Sequence, residues 1–182
     1  MPSVKNILTI ILAYVIRLSN LTEGNIMEKT RQLLAYLIKN HPSISITALM
    51  KLTYICDLVS IKKHHSKISD FEYVRYKYGP FDQNIYNHIN DLRWAGVITE
   101  EPAYTPMGDE YITYKINDET CVCVDELGIN DTQVADEVLE SLKGYGAKAL
   151  VDLAYKTKPM AKIGAMQDND AGLNEKLDLS AS

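Results

Sequence analysis

Cysteine and histidine side chains are the first candidates for chemistry in this sequence, because they bind metal ions and act as nucleophiles and bases. Cys56, His64 and His65 lie on one segment, but their spacing matches no structural zinc pattern. A histidine pair at the end of a basic helix is typical of a solvated helix terminus. Cys121 and Cys123 are two residues apart, so both thiols lie on one face of the predicted strand. This C-x-C spacing differs from the C-x-x-C spacing of redox and zinc loops. We therefore predict no metal site.

Carboxylate pairs and phosphate-binding loops are the next candidates. Glu100-Glu101 and Asp109-Glu110 stand on segments expected to be exposed, where nothing raises a carboxyl pKa toward the value that acid–base catalysis needs. The sequence contains neither Gly-x-x-x-x-Gly-Lys-Ser/Thr nor Gly-x-Gly-x-x-Gly, the two glycine-rich loops that hold nucleotide phosphates. We expect a protein that is not an enzyme, with no catalytic residues and no cofactor.

Composition predicts one domain with an uneven charge distribution. The chain has 182 residues, 46% of them apolar, which suffices for a buried core. The net charge of -5 does not favour general attraction to nucleic acid or to anionic lipid. Residues 27–67 hold seven Lys/Arg against two Asp/Glu, whereas residues 101–140 hold one lysine against eleven Asp/Glu. This asymmetry is typical either of an electrostatically steered contact or of solvated faces on unrelated elements.

Cysteine content and hydropathy bear on where the protein works. An odd, low count of three cysteines argues against a disulfide scaffold and fits a reducing compartment, so we expect a cytoplasmic protein. The apolar run over residues 7–16 is too short to cross a bilayer, which takes about 20 residues. Its helical spacing predicts a packed helix in an N-terminal extension over residues 1–26, with no membrane contact.

The apolar patterns predict a mainly helical chain. Helices are expected over residues 27–40, 45–63, 82–95, 131–142 and 147–157, and strands over 97–100, 110–116 and 121–124, with an extended segment over 71–78. We predict an α+β fold, a predominantly helical single domain over residues 27–163 with a small antiparallel sheet. Residues 164–182 are polar and are expected to form a mobile tail.

The order of residues becomes specific between positions 51 and 98. The elements are a helical Lys51-Leu52-Thr53-Tyr54, the triplet Asp70-Phe71-Glu72, the run Tyr76-Lys77-Tyr78-Gly79-Pro80-Phe81, the pair Ile85-Tyr86, and Gly96-Val97-Ile98. This order resembles the Panacea domain, the SocA-like antitoxin domain also seen in phage-associated proteins. The resemblance implies a non-enzymatic antitoxin that neutralises a toxin encoded beside it by direct protein contact. The resemblance also implies that some relatives act as adaptors that deliver the toxin to a protease.

Aromatic side chains crowd the segment from residue 71 to residue 86, and tyrosine is favoured at protein interfaces. Strand alternation turns about half of these rings inward. We predict that Tyr73, Arg75, Lys77 and Tyr86 are exposed and contact the partner. The remaining motif residues are predicted to be structural, namely Lys51, Leu52, Tyr54, Tyr76, Tyr78, Gly79, Pro80 and Phe81.

A winged helix in the middle of the chain is the alternative interpretation. A helix, a strand, a loop and a returning strand follow one another over residues 82–116. The helix would display side chains suited to base edges, Gln83, Asn84, Asn87, His88, Asn90 and Arg93. The hairpin carries Glu100, Glu101, Asp109 and Glu110, however, where a DNA-binding wing needs cations against phosphate. A DNA-binding transcriptional regulator is therefore the less favoured function, and the same acidic region suits a basic toxin.

Overall fold

The computed structural model describes residues 29–41, 43–118, 120, 122, 124–165 and 171–181. The predicted N-terminal extension over residues 1–26 lies outside the described residues, as do Cys121 and Cys123. Six α-helices lie in the described part: α1 Lys29–Asn40, α2 Ile46–His64, α3 Asn84–Trp94, α4 Ile129–Ser141, α5 Ala147–Tyr155 and α6 Lys158–Lys162. The strands are β1 Ile44–Ser45, β2 Val74–Tyr76, β3 Gly79–Phe81, β4 Ile98–Tyr104 and β5 Glu110–Ile116. A single 3-10 turn covers Leu179–Ala181.

A three-stranded antiparallel sheet in the order β1-β5-β4 has the connectivity of a winged helix. β1 pairs Ile44 with Tyr114, and β4 pairs Ile98 with Ile116. The chain order is α1-β1-α2-β2-β3-α3-β4-β5. Apart from the β2–β3 hairpin inserted between α2 and α3, this order places α3 where the second helix of a helix-turn-helix lies. The predicted α+β class, predominantly helical with a small antiparallel sheet, is confirmed.

The third strand of this sheet is not the one expected from sequence. Val122 and Val124, within the predicted strand at 121–124, belong to no strand. Their place is taken by β1, which is only two residues long. A two-residue strand carries no alternation, so its pairing with β5 leaves no periodic signal in the sequence.

Helix α2 is the centre of the domain. It begins at its cap Ser45, whose side chain accepts a hydrogen bond from Ala48 N, and it ends at His65 in the left-handed conformation. Its buried residues lie all round the axis, as expected of a helix surrounded by other elements. It contacts α1, α4 and α5, and the β2–β3 hairpin packs on its middle.

Residues 171–181, which we call the strap, pack against the hairpin. Leu177 and Leu179 are buried, and Lys176 forms an antiparallel bridge with Val74 of β2. The sequence predicted a polar, mobile tail over residues 164–182, whereas in the fold the strap packs through these two leucines. The two leucines find apolar partners only once the hairpin has formed, which the composition of the segment does not reveal.

The two oppositely charged blocks of the sequence meet inside the domain. Lys29 on α1 forms a salt bridge with Asp131 on α4 at 2.8 Å, and Lys63 on α2 pairs with Glu137. The hydroxyl of Tyr36 donates to Asp136 at 2.6 Å. The acidic part of α4 is therefore largely offset by the basic helices beside it. Within the described residues, no helix combines the length and the apolar character that a membrane span requires.

Candidate protein interface

The turn between β2 and β3 is held from two sides. Lys51 on α2 is buried, and its Nζ donates to the carbonyl oxygen of Pro80 at 2.6 Å. The hydroxyl of Tyr155 on α5 donates to the carbonyl oxygen of Lys77 at 3.1 Å. Gly79 lies between these two side chains with φ +87°. The predicted structural role of Lys51, Gly79 and Pro80 corresponds to these contacts, which fix the hairpin on the two helices.

Burial lowers the pKa of Lys51 to about 7, because desolvation disfavours the ammonium form. Among the described residues no carboxylate forms a salt bridge with Lys51. The folded-state pKa therefore lies below the unfolded value of 10.5. Between these two values the unfolded chain binds a proton that the folded chain has released, so the free energy of unfolding rises with pH.

We expect the wild-type protein to gain about 2 kcal/mol of stability relative to Lys51→Met between about pH 6.5 and pH 8.5. Urea denaturation of both proteins across this range measures the difference, and titrations shared by the two proteins cancel. Lys67→Met, at a partly exposed lysine, serves as the control and should show no such trend. A pH-independent difference for Lys51→Met would show that Lys51 keeps its charge in the fold.

A buried carboxylate anchors the segment that enters β2. Asp57 on α2 accepts hydrogen bonds from the backbone N–H groups of Ile68 and Ser69, each at 2.9 Å, and from the hydroxyls of Ser69 and Tyr73. Burial raises the pKa of Asp57, and these hydrogen bonds oppose the rise. The cluster holds Tyr73 inward, against the ring of Tyr54 at 5.1 Å between centroids.

Two of the four residues that were predicted to be exposed and to contact the partner are buried. Tyr73 is 1% exposed and Arg75 is 2% exposed. The guanidinium carbon of Arg75 lies 5.8 Å from the centroid of the Tyr155 ring, and its backbone N–H donates to Glu175 in the strap. Tyr73 and Arg75, predicted to face outward, face inward, whereas Tyr76, Lys77 and Tyr78 are all exposed. Asp57 and Tyr155, both far away in sequence, decide which face is covered.

The opposite face of the hairpin and the first turn of α3 together present aromatic rings to solvent. Tyr76 and Tyr86 are 43% and 48% exposed, and Phe81 between them is partly buried. Ring centroids lie 5.4 Å apart for Tyr76 and Phe81 and 6.1 Å apart for Phe81 and Tyr86. We call Tyr76, Phe81 and Tyr86 the aromatic face. Adjacent aromatic rings on a fixed support, left open to solvent, are typical of a protein interface.

Of the residues predicted to contact the partner, Lys77 and Tyr86 are exposed beside or within this face. Tyr78, expected to be structural, is exposed at the tip of the hairpin. Sequence reasoning had also assigned Tyr76 and Phe81 a structural role. Leu52 and Tyr54 are buried, and Tyr54 shares a hydrogen bond of 2.8 Å with Thr157 after α5.

The candidate DNA-reading helix α3 is only partly available. His88 is buried against the ring of Phe71, 5.5 Å between centroids. Arg93 forms a salt bridge with Glu100 on β4 at 3.0 Å. Gln83, Asn84, Asn87 and Asn90 are exposed. A second arginine, Arg31, lies against α3 and is paired with Asp91 at 3.0 Å. Affinity for DNA depends on cations that contact phosphate, and both of these arginines are engaged with carboxylates of the domain.

Cys56, considered above as a metal ligand, is buried in α2 as a free thiol. Burial raises its pKa, so the thiolate that binds metals or attacks electrophiles is disfavoured. His64 and His65 end the same helix and are exposed. The three side chains are therefore not brought together into one site.

Comparison with protein families places these features in one group. A family model described as "Antitoxin SocA-like, Panacea domain" matches residues 49–159, which is more than half of the chain. The match includes Lys51, Asp57, the β2–β3 hairpin, α3, the strands β4 and β5, and α5. Neither the curated proteins nor the solved structures yielded a match. The chain belongs to the SocA-like Panacea-domain antitoxin family.

Proposed function

We propose that the protein is the antitoxin of a toxin–antitoxin pair and neutralises its cognate toxin by direct contact through the aromatic face. Membership of an antitoxin family supports a protein partner. The observation that carries the proposal is the row of adjacent rings of Tyr76, Phe81 and Tyr86, in which the two outer tyrosines, on the hairpin and on α3, are exposed. The protein acts without chemistry of its own, in the cytoplasm, and the domain over residues 27–163 supplies the contact.

The support beneath the aromatic face suits it to tight binding. Lys51 and Tyr155 hold the turn, and the hydrogen bonds of Asp57 hold the segment that leads into β2. Rings on a fixed backbone lose little conformational freedom when a partner binds, which leaves more of the contact energy as affinity. Lys77 at the edge of the face adds a cation that can pair with an acidic residue of the toxin.

The wing formed by β4 and β5 is the competing contact surface for a basic toxin. Asp109 and Glu110 are exposed there, together with the ring of Tyr104. Glu100 and Glu101, by contrast, are already paired with Arg93 and Lys115. This internal pairing leaves the wing fewer unpaired carboxylates than the sequence suggests, so we favour the aromatic face.

Affinity purification of the tagged protein from its native cell, followed by mass spectrometry, tests the function itself. We expect one stoichiometric partner from the adjacent gene that is toxic when expressed alone. Protease subunits in the same eluate would mark the adaptor mode of neutralisation. Recovery of DNA without a protein partner would overturn the antitoxin proposal in favour of a transcriptional regulator that uses α3.

Substitution on the two surfaces then identifies the interface. We expect Tyr76→Ala combined with Tyr86→Ala to weaken toxin binding about 30-fold or more, since truncated interface aromatics cost about 2 kcal/mol or more. Tyr104→Ala on the wing is the matched control, an exposed tyrosine whose loss should leave affinity unchanged. Isothermal titration calorimetry on folded variants measures both. Loss of binding through Asp109→Lys with Glu110→Lys, but not through the tyrosine pair, would assign the contact to the wing.

A further inference from the structure

The strap pairs with the outer edge of β2 as a third strand would. Arg75 N donates to Glu175 O at 2.9 Å, and Asn174 N donates to Arg75 O at 2.7 Å. Leu177 N donates to Tyr73 O at 2.8 Å, and the antiparallel bridge joins Val74 to Lys176. The backbone groups on the free side of β2 are therefore satisfied by a segment about a hundred residues further along the chain.

Burial alternates along residues 176–179 of the strap. Leu177 is buried where the strap runs beside β2 and Leu179 is buried at the start of the 3-10 turn, whereas Lys176 and Asp178 lie outward. Lys176 pairs with Glu72 and Asp178 pairs with Lys162, each at 3.0 Å and between exposed side chains. Such exposed ion pairs contribute little to stability, so the two leucines and the backbone hydrogen bonds hold the strap.

A cleft lies along the same edge. Its volume is about 440 Å³, and its lining includes Phe71 and Tyr73 from the segment before β2 and Leu177 and Leu179 from the strap. The cleft thus borders the apolar wall that receives the two leucines, while Phe71 and Tyr73 in that wall are buried with the strap in place. Next along β2, Tyr76 belongs to the aromatic face. A partner seated on that face would lie one residue from the edge that the strap covers.

We propose that the outer edge of β2 is a strand-addition site for an extended peptide that carries large apolar residues at alternate positions. In this structure the chain's own residues 174–179 occupy the site. An extended segment of the toxin with the same pattern exchanges with the strap when the toxin engages the aromatic face, and this part rests on the proposed function. Addition of a strand to an open sheet edge is a general mode of peptide recognition.

The site can be tested without the toxin. The full-length chain with Leu177→Asp and Leu179→Asp releases the strap, because two carboxylates cannot occupy the apolar wall. The probe is a fluorescent peptide with the sequence of residues 171–181. Fluorescence anisotropy should show saturable binding to this variant at least tenfold tighter than to the wild-type protein, whose edge is already occupied. A peptide with both leucines replaced by aspartate should not bind.

Hydrogen exchange provides the second measurement. The amide of Arg75 should lose protection in the released variant and regain it on addition of the peptide, while amides of α2 stay protected. Lys162→Ala with Lys176→Ala removes only the exposed ion pairs and should behave as the wild-type protein does. A released variant that stays folded and does not bind the peptide would overturn the proposal.

A milder variant covers the case in which the double substitution unfolds the chain. In Leu179→Ala the Arg75 amide should exchange faster than the amides of α2. If the Arg75 amide and the amides of α2 all exchange only through global unfolding, the strap does not open separately and the proposal is overturned.

If the peptide binds but no toxin partner is recovered from cells, the strand-addition site stands and the antitoxin function fails. If a toxin is recovered and binds while the Leu177 amide, which donates to Tyr73 O from the strap, keeps its protection, the exchange is wrong and the function stands.

Discussion

Replacement of Asp57 with alanine is expected to lower the free energy of unfolding by about 4 kcal/mol. The substitution removes the acceptor of two backbone N–H groups, those of Ile68 and Ser69, and of the hydroxyls of Ser69 and Tyr73. All of these donors are buried, so water does not replace the lost carboxylate. Each donor is then buried without an acceptor, which lowers the stability of the folded state. The segment that leads into β2 should lose its fixed position as a result.

Urea denaturation followed by circular dichroism measures this effect. Asp91→Ala is the matched control, because Asp91 is exposed and forms a salt bridge with Arg31 at 3.0 Å. Loss of that pair should cost less than about 1 kcal/mol. Asp57→Asn, which keeps one acceptor oxygen, should fall between the two. Equal stabilities for Asp57→Ala and Asp91→Ala would contradict the anchoring role of Asp57.

Replacement of Gly79 with valine is expected to destabilise the fold by about 3 kcal/mol, rather than merely weaken binding. Gly79 has φ +87°, a conformation that a β-branched residue adopts only under strain. A Cβ atom there would lie 3.4 Å from Cε2 of Tyr155 and 3.6 Å from Cε of Lys51. The additional methyl groups of valine therefore meet the two side chains that hold the turn.

The wing offers a matched control for this substitution. Gly108 has a similar backbone, with φ +91°, but nothing lies within 4 Å of a Cβ built on it. Gly108→Val should therefore show the backbone strain alone, on the order of 1 to 2 kcal/mol. The difference between the two midpoints in thermal denaturation isolates the packing at Gly79. A Gly79→Val protein that melts as the wild type does and fails only in binding would show that the turn is not structural.

Local patterns in the sequence determined the helices of this protein. Leu33, Leu34, Leu37 and Ile38 recur at helical spacing, and all four are buried in α1. The order of residues around Tyr78-Gly79-Pro80 is characteristic of the family, and Gly79 and Pro80 are required there by the backbone geometry at their own positions. Features that depend on a residue's own conformation or on its near neighbours in the chain can be predicted from the sequence.

Contacts between distant residues decided the surface that the protein offers to a partner. Arg75 is buried because the ring of Tyr155 and the strap cover it, although sequence reasoning places an arginine in solvent. A hairpin alternates with a period of two whichever face is inward, so the pattern alone does not choose between Tyr73 and Tyr76. Asp57 makes that choice through its hydrogen bond to the hydroxyl of Tyr73.

Contacts between distant residues also explain the packing of the strap and the pairing of the charged helices. Three leucines in a polar segment are too few to predict packing, and only the edge of β2 and the adjacent apolar wall make the burial of Leu177 and Leu179 favourable. The acids of α4 belong to an acidic block of the sequence, and only the fold brings Lys29 and Lys63 beside two of them. The sequence by itself determined most of the helices, the strands β4 and β5 and the family, while the tertiary structure decided which side chains remain exposed, because burial is a property of neighbours distant along the chain.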